Sequence, residues 1–348
     1  MKRFLAVLAA SLLTSGLTAA PARAAVSTSP LSPDVSTAQQ VAAFWLGNGG
    51  ANLANATPYN VQATVPGKRV SQRGGVSPGT KPGLVPPLLP STSDPSKAKT
   101  PASTGKVFFV GADGQPHWCT GTSVQSVHRN VVATAAHCVY DVESNMDPLR
   151  QWVFVPDHVA GTTPSGLYVG KQVDVHYDFF LYNDFDRDYA FVNVYNGVVP
   201  TPEGGLTDLG TLGDKVGGQG LAYNEKLGIP VDVFGYPAGP HPDGTRPYTG
   251  ETIESSSGHT SGMMVVPILK GEELIAVDSG FTGEGSLGSS WLTSYDYGKR
   301  VGYLNGITIS VTDLDGDLRY DTSLSAYFDS EAAEVYGVAD TLPTGSIA

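Results

Sequence analysis

The sequence has few cysteines, few cations and no long apolar run. Among 348 residues there are two cysteines, and 21 lysines and arginines stand against 33 aspartates and glutamates, which gives a net charge of −12. Nucleic-acid binding needs clustered lysine and arginine to neutralise phosphates. No such patch is visible, so we expect no nucleic-acid partner, and the acidic balance mainly favours solubility.

The longest apolar stretch lies at residues 4–17, which is too short to span a bilayer core of about 30 Å comfortably. Lys2 and Arg3 precede it, and an Ala-Arg-Ala motif ends behind it at Ala24. This is the pattern of a cleaved secretory signal. We therefore predict a signal peptide at residues 1–24, a secreted, extracellular mature chain and no membrane span.

The two cysteines are Cys119 and Cys138. An even count in an exported protein indicates a bridge, because disulfides persist outside the cytosol. Two free buried thiols are the alternative. A bridge over a loop of this length stabilises by roughly 3 kcal/mol in the loop-entropy model.

Residues 25–103 are poor in charge and rich in small residues and proline. The only helix predicted there covers residues 36–46, with Ser36 as its N-cap. Residues 76–101 have a proline or glycine every few positions, and we expect them to be extended and exposed. We interpret the region as a pro-segment or a low-complexity spacer, two alternatives that the sequence does not separate.

From residue 104 onward, short β-branched and aromatic runs recur between Gly, Pro, Asp and Asn. Residues 107–110, 131–134 and 152–155 are examples. This texture is typical of many short antiparallel strands in a barrel or sandwich. We predict one all-β domain at residues 104–348, with a single short helix at residues 330–338.

One predicted strand, residues 131–134, runs directly into Ala135-Ala136-His137-Cys138. A bridge to Cys119 would hold His137 rigidly at the end of that strand. A general base must stay within hydrogen-bond reach of its nucleophile. The motif therefore indicates a catalytic histidine rather than a histidine packed at a strand end, which is the commoner fate of a lone histidine.

The motif at residues 134–138, Thr-Ala-Ala-His-Cys, resembles the histidine motif of chymotrypsin-like and trypsin-like serine proteases. Residues 105–109, with Cys119 and Ser123 downstream, are similar to the start of the mature domain in secreted actinobacterial members near the glutamyl endopeptidases. The resemblance covers residues 104–336. It implies two six-stranded antiparallel barrels with the active site between them. We expect a monomer with a peptide or protein substrate and no cofactor.

The resemblance also implies an aspartate just before a buried strand. Asp188, followed by Tyr-Ala-Phe-Val at residues 189–192, is similar to the family pattern. There it would accept the imidazole N–H and fix the tautomer of His137. Asp184 and Asp186 are the alternatives, and we expect them to lie in a solvated turn.

The nucleophile loop departs from the family pattern Thr-Gly-Gly-Ser-Ser-Gly-Gly-Pro-Trp, in which the second serine attacks. Residues 282–291 read Thr-Gly-Glu-Gly-Ser-Leu-Gly-Ser-Ser-Trp, which is one residue longer. Counting forward from Thr282 puts the nucleophile at Ser286. Counting back from Trp291 puts it at Leu287, which cannot attack.

The oxyanion hole of such a loop needs a backbone N–H two residues before the nucleophile, usually from a glycine free to take positive φ. With Ser286 attacking, that residue is Glu284, where a left-handed conformation costs roughly 1–2 kcal/mol. With Leu287 in the nucleophile position, the residue two positions earlier is Gly285. We predict Ser286 as the nucleophile, with Glu284, Gly285 and Ser286 forming the oxyanion hole. A pseudoprotease that binds a peptide or protein without cutting it is the alternative.

Substrate preference is harder to assign. Gly280, six positions before Ser286, is not an aspartate, so we do not expect a strict Arg/Lys preference. Asn305 and Gly306 are predicted to lie on the strand along which substrate pairs. Residues 313–317 are similar to a calcium loop, but the closing glutamate is missing; we predict a solvated acidic turn and no metal.

The predicted function is that of a secreted serine endopeptidase. His137 would take the proton from Ser286, and Asp188 would orient and stabilise the imidazolium. Peptide bonds would then be hydrolysed through a covalent acyl-enzyme.

Overall fold

The computed structural model describes residues 26–66, 68–69, 81–90, 99–143 and 146–348, with the backbone alone at Lys68, Arg69 and Met263. The predicted signal peptide lies outside these residues. Within the described part, no helix is long and apolar enough to cross a membrane.

Strands dominate the chain. Those of the first half are β1 (Val26–Pro30), β2 (Thr57–Pro58), β3 (Lys68–Arg69), β4 (Gly83–Val85), β5 (Thr104–Val110), β6 (Pro116–Val124), β7 (Val131–Thr134), β8 (Arg150–Pro156), β9 (Tyr168–His176) and β10 (Ala190–Val194). Those of the second half are β11 (Val198–Pro200), β12 (Leu206–Asp208), β13 (Gly220–Tyr223), β14 (Pro230–Gly235), β15 (Glu254–His259), β16 (Ser261–Val266), β17 (Gly271–Asp278), β18 (Ser290–Asp296), β19 (Val301–Ile307), β20 (Ser310–Thr312) and β21 (Thr322–Ser325).

Helices are short and few in the described residues. The α-helices are α1 (Val35–Leu46), α2 (Ala51–Asn55), α3 (Tyr177–Tyr182), α4 (Leu212–Val216) and α5 (Ser330–Ala339). Single 3₁₀ turns are Gly47–Gly49, Ala136–Cys138, Phe185–Arg187 and Pro267–Leu269.

The first half closes into a barrel. Six antiparallel strands follow one another in the order β9-β10-β7-β6-β5-β8, and β8 pairs back with β9. Side chains alternate across β5, so that Val107 and Phe109 enter the main core while Phe108 faces outward. Every residue of β5 is nevertheless buried, which means that another part of the chain covers the outer face of the barrel.

The N-terminal segment supplies that cover. β1 pairs antiparallel with β9, and α1 lays Val41 and Trp45 into a cluster with Phe108. Asp34 caps α1 by accepting from the Thr37 N–H at 2.8 Å. The predicted helix is therefore confirmed, but its cap is Asp34 rather than Ser36. That residues 25–103 form a pro-segment or spacer stays a prediction.

Of residues 76–101, which we expect to be extended and exposed, the structure describes 81–90 and 99–101. Residues 83–85 are extended as predicted, but they are paired with another strand and only Leu84 among them is exposed. β4 pairs antiparallel with β13, with Leu221 opposite Val85, and Leu88 exchanges backbone hydrogen bonds with Gly218. The proline-rich run forms a sheet edge here because edge strands tolerate the missing proline N–H.

Two sheets that pack on each other make up the second half. One has the order β15-β14-β18-β19-β13-β4 and the other β20-β21-β17-β16-β3. Val233, Val277 and Trp291 meet in the core between them. At the C-terminus, Asp329 caps α5, which buries Val335 against the first barrel's side of the molecule. The all-β architecture with a C-terminal helix is as predicted, but the expectation of a single helix in residues 104–348 is wrong, because α3 and α4 are two further short helices.

Candidate active-site cleft

His137 and Asp188 form a buried pair at the rim of the first barrel. His137 lies on the 3₁₀ turn that follows β7, and Asp188 lies just before β10, the neighbour of β7. Asp188 Oδ1 accepts from the His137 backbone N–H at 2.9 Å, and Oδ2 lies 2.5 Å from His137 Nδ1. Both residues are fully buried. The carboxylate holds the histidine at two points, which is the arrangement that orients a general base.

Neither of the other two aspartates bonds to the imidazole. Asp184 accepts from the Asp186 N–H at 2.9 Å. Asp186 accepts from the backbone N–H groups of Glu272 and Glu273, both at 2.9 Å, and burial raises its pKa to about 6. Asp186 is thus buried and joined to β17, so its expected place in a solvated turn is wrong. The choice of Asp188 as the partner of the histidine agrees with the geometry.

The predicted disulfide is confirmed. Cys119 and Cys138 are joined, with their Cα atoms 6.3 Å apart. The Trp152 indole N–H donates to the Cys138 carbonyl at 3.1 Å. The turn that carries His137 is therefore fastened on both sides, to β6 by the bridge and to β8 by the indole.

The second ring nitrogen of the histidine is unpaired. His137 Nε2 is buried and has no hydrogen-bond partner among the residues that the structure describes. The Tyr59 and Phe185 rings pack near the imidazole, with centroids 6.4 and 5.5 Å from its own. A buried nitrogen without a partner needs an explanation, and a proton-transfer role is one.

Ser286, the predicted nucleophile, bonds within its own turn. Its hydroxyl donates to the Gly283 carbonyl at 3.0 Å, and its backbone N–H donates to the same carbonyl at 3.1 Å. The side chain is fully buried. The structure does not bring the Ser286 hydroxyl into a hydrogen bond with His137.

Two loop residues bond to Thr120 of the first barrel. The Thr120 hydroxyl donates to the Gly285 carbonyl at 2.9 Å, and the Thr120 backbone N–H donates to the Leu287 carbonyl at 2.8 Å. Thr120 directly follows Cys119, the partner in the bridge to the histidine turn. The Leu287 side chain is fully buried and belongs to the main core. The backbone bond sets Leu287, rather than Ser286, beside the strand that is fastened to His137.

The glycines of the loop point to the same register. Gly285 and Gly288 have φ of 75° and 85°, whereas Glu284 is not among the described residues with positive φ. A side chain at Gly285 would collide with the Trp118 ring. The left-handed position that should lie two residues before the nucleophile is therefore Gly285, which corresponds to Leu287 in the slot.

Comparison with known proteins agrees with this architecture. No protein-family model and no curated protein matches the chain, but solved structures do. The thermostable serine protease AL20 from an extremophilic microorganism is 25% identical, with a TM-score of 0.55, over 69% of this chain and 99% of its own. The protease Anisep from Arthrobacter nicotinovorans is 22% identical, with a TM-score of 0.57, over 74% and 100%. A Glu endopeptidase in complex with MPD is 16% identical, with a TM-score of 0.49, over 77% and 100%.

The chain belongs to the chymotrypsin-like serine protease superfamily. Members of this superfamily place the active site between their two halves, and here that cleft holds a segment of the chain itself. The Tyr59 N–H donates to the Trp118 carbonyl at 2.9 Å, and the Gly285 N–H donates to the Tyr59 carbonyl at 3.3 Å. One N–H group predicted for the oxyanion hole is therefore bonded to a carbonyl of the same protein.

The segment continues to the other side of the cleft. The Val65 N–H donates to the Val311 carbonyl at 3.1 Å, and the Val311 N–H donates to the Ala63 carbonyl at 3.0 Å. Tyr59, Ala63 and Val65 are all buried. Sequence reasoning missed this segment because no local pattern in residues 57–65 signals a contact more than two hundred positions away.

The residues predicted to bind substrate are not the ones that bond to residues 57–65. Gly280 is exposed, and a side chain there would come no closer than 3.9 Å to Tyr248. Asn305 lies inside β19 and donates to the Ala222 carbonyl at 3.2 Å, and Gly306 pairs with β18. Their substrate role stays a prediction. The strand of the second half that bonds to residues 57–65 is β20, through Val311.

The acidic turn at residues 313–317 is held by hydrogen bonds between Asp313 and backbone N–H groups of the same turn. Carboxylate oxygens of Asp313, Asp315 and Asp317 lie within 4.8 Å of one another. Asp313 accepts from the backbone N–H groups of Gly316 and Leu318, at 2.8 and 3.0 Å. These bonds close the turn. That the residues form an acidic turn is as predicted, and that they hold no metal stays a prediction.

Proposed function

We propose that this chain is a pseudoprotease, a chymotrypsin-like protein that keeps the peptide-binding cleft and the histidine–aspartate pair but whose hydrolytic step is impaired. The observation that carries the proposal is the register of the nucleophile loop: Leu287 bonds to Thr120, and the Ser286 hydroxyl bonds to its own turn. A leucine side chain has no proton to give to His137 and no lone pair with which to attack a carbonyl.

The cleft itself supports a binding function. Backbone groups on both sides, at Trp118 and at Val311, bond to one segment of the chain, which turns at residues 60–63 between the two contacts. Main-chain pairing of this kind is how proteins take up an extended peptide as an added strand. The ligand we propose is an extended peptide or an exposed protein segment, which would compete with residues 57–65 for the same backbone groups.

A second candidate function is the endopeptidase predicted from the sequence. The intact pair and the unpartnered His137 Nε2 favour it. Activity would require Ser286 to leave the Gly283 carbonyl and turn to the imidazole, and the Gly285 N–H to leave Tyr59. His137 would then take the hydroxyl proton as the serine attacked, and Asp188 would stabilise the imidazolium of the acyl-enzyme pathway.

We also propose that the protein is exported. The support is the charged start, the apolar stretch and the small residues of the first 24 positions. The disulfide is consistent with this, because such bonds persist in oxidising compartments.

Labelling of the folded protein with a fluorophosphonate probe tests the proposal. We expect no labelling of the unmodified chain and clear labelling of Leu287→Ser, since that change puts a hydroxyl in the slot beside an intact general base. Because the Tyr59 ring restricts access, each protein is also prepared with Tyr59→Gly.

Two variants keep the test specific. Leu287→Ala removes the same packing as Leu287→Ser without a hydroxyl, and His137→Ala added to Leu287→Ser should abolish the labelling. If the unmodified chain or Tyr59→Gly is labelled, and Ser286→Ala removes that labelling, the endopeptidase is the correct function.

A further inference from the structure

A cavity of about 610 Å³ lies beside the cleft. Its walls include Lys106 and Trp118 from the first barrel, Pro58 from the N-terminal segment, and Arg246 and Glu251 from the loop before β15. We call it the Lys106 cavity. Its volume is in the range of small-ligand sites.

Lys106 is a buried cation without a hydrogen-bond acceptor. The residue is 5% exposed, and its Nζ lies 3.6 Å from the centre of the Trp118 ring and 5.5 Å from that of Tyr236. Within the described part of the chain it makes neither a hydrogen bond nor an ion pair. Contact with aromatic faces offsets part of the cost of burying an ammonium, and its N–H donors are directed to no protein oxygen among the described residues.

The wall behind the lysine has a second unsatisfied group. Both ring nitrogens of His158 are buried without a partner among the described residues, and the ring packs 5.5 Å from Phe108 and 6.2 Å from Tyr236. Burial lowers the pKa of His158 to about 3, and that of Lys106 to about 7. The histidine is therefore neutral near pH 7 and adds no competing charge. The lysine is about half protonated near pH 7 and mostly charged at pH 6, so binding of an anion should be stronger at the lower pH.

We propose that the Lys106 cavity is a carboxylate-binding site, and that its ligand is the C-terminal carboxylate of a short peptide. A carboxylate accepts up to four hydrogen bonds, and a charge-assisted bond to an ammonium is about twice as strong as a neutral one. An acceptor entering the cavity would satisfy the donors that the folded chain leaves unused at Lys106.

Two charged side chains that line the cavity, Arg246 and Glu251, should affect the binding of a carboxylate in opposite directions. Arg246 is exposed there and adds a second positive charge. Glu251 is also exposed; it acts on Lys106 electrostatically without an ion pair. Glu251 would repel an incoming carboxylate, so it should weaken binding rather than support it.

The cavity adjoins the cleft through Trp118. The Trp118 carbonyl bonds to Tyr59 in the cleft, while its ring forms the floor under Lys106, and Pro58 lines the cavity one residue before Tyr59. A strand bound along Trp118 would thus reach the cavity with one end. The inference rests on the proposed function in taking a peptide as ligand, but it does not depend on whether Ser286 is active.

Calorimetric titration of the folded, full-length protein tests the site. The probes are N-acetyl-trialanine with a free carboxylate, its C-terminal amide, and an N-acetylated, C-terminally amidated Ala-Glu-Ala. We expect the free acid to bind about tenfold more tightly than the amide, the factor that one favourable charged contact supplies. Binding of the glutamate peptide alone would support a carboxylate site whose ligand is an acidic side chain.

Variants separate the cavity from the rest of the surface. Lys106→Met should remove the difference between acid and amide without loss of folding, and Glu251→Gln should strengthen binding of the acid. Lys171→Met is the matched control, because Lys171 also faces an aromatic ring, at 5.5 Å, but donates to the Pro343 carbonyl; it should bind like the unmodified chain. Equal binding of acid and amide, no binding of any probe, or a preference that persists in Lys106→Met would overturn the proposal.

Acylation of lysines gives a second readout, which does not depend on the heat of binding. Saturating free acid should slow acetylation of Lys106 by acetic anhydride several-fold and leave that of Lys171 unchanged, as measured on peptides by mass spectrometry. If the free acid does not protect Lys106 while Leu287→Ser is labelled as expected, the cavity proposal fails and the pseudoprotease proposal stands. If the free acid protects Lys106 but the labelling results contradict the pseudoprotease, only the pseudoprotease proposal fails.

Discussion

On the first-barrel side of the cleft, every group that positions His137 is in place: the carboxylate of Asp188, the bridge from Cys119 and the indole of Trp152. On the other side, the loop from Glu284 to Ser290 keeps its glycines and its bond to β6. Its leucine is the residue that accepts from the Thr120 backbone N–H, and its serine hydroxyl bonds within its own turn.

The difference teaches which parts of such a site the fold itself preserves. Asp188 satisfies two N–H groups inside the barrel, and the disulfide closes two neighbouring elements, so losing either would cost stability. A nucleophilic serine satisfies no buried group of the scaffold. It can be replaced by an apolar residue that packs, as Leu287 does in the main core, without a penalty in folding.

The largest effect that this comparison predicts is that of Asp188→Ala. Removing the carboxylate leaves the His137 backbone N–H and its Nδ1–H buried without an acceptor, so we expect a loss of roughly 3–5 kcal/mol in the free energy of unfolding. Urea unfolding with the disulfide intact measures it. Asp184→Ala serves as the control, because its carboxylate accepts one N–H group in the next turn. A loss below about 1 kcal/mol in the free energy of unfolding would show that the His137–Asp188 pair contributes little to stability.

Asp186 joins the two halves and predicts a pH effect of intermediate size. Burial raises its pKa to about 6, against the opposing effect of the Glu272 and Glu273 N–H groups. Between pH 4 and 6 the folded chain therefore binds more protons than the unfolded chain at this group. Its contribution to stability must fall as the pH rises through that window and stay low above it.

Asp186→Asn removes this dependence, although the amide costs some stability at every pH because it cannot accept both N–H groups. We expect the variant's stability relative to the unmodified chain to improve by about 2 kcal/mol between pH 4 and pH 7. Thermal or urea unfolding at both values checks it, with Asp184→Asn as the control for removing a carboxylate from the same turn. An unchanged difference between the two pH values would mean that Asp186 titrates normally.

Local patterns were enough to predict one side of the cleft. The strand before His137 and the strand after Asp188 are each readable in sequence, since an apolar β-branched run determines its own burial. The same holds for α5 and for the presence of many short strands, although not for their number. The cap of α1 was misplaced by two residues because Asp34 and Ser36 are both good caps and only the helix start decides between them.

The other side of the cleft was not predictable in the same way. One extra residue in a stretch of glycine and serine can be absorbed at several points, and the choice depends on contacts with Trp118 and Thr120 from β6. The place of Tyr59 over the imidazole and the strand pairing of Val85 are likewise long-range contacts. Their segments have turn-rich compositions that fit many backbone paths.

The smallest predicted effect sharpens the contrast between the two sides. Ser286→Ala removes one hydrogen bond, from Oγ to the Gly283 carbonyl, and that carbonyl keeps the Ser286 backbone N–H as a donor. We therefore expect a loss of about 1 kcal/mol in the free energy of unfolding, several times less than for Asp188→Ala. Urea unfolding under identical conditions compares the two variants directly. Ser286→Cys, which keeps a weaker donor of similar size, is the matched control and should lie between alanine and the unmodified chain. A loss as large as that of Asp188→Ala would mean that Ser286 belongs to the buried framework of the site and that the asymmetry between the two sides is false.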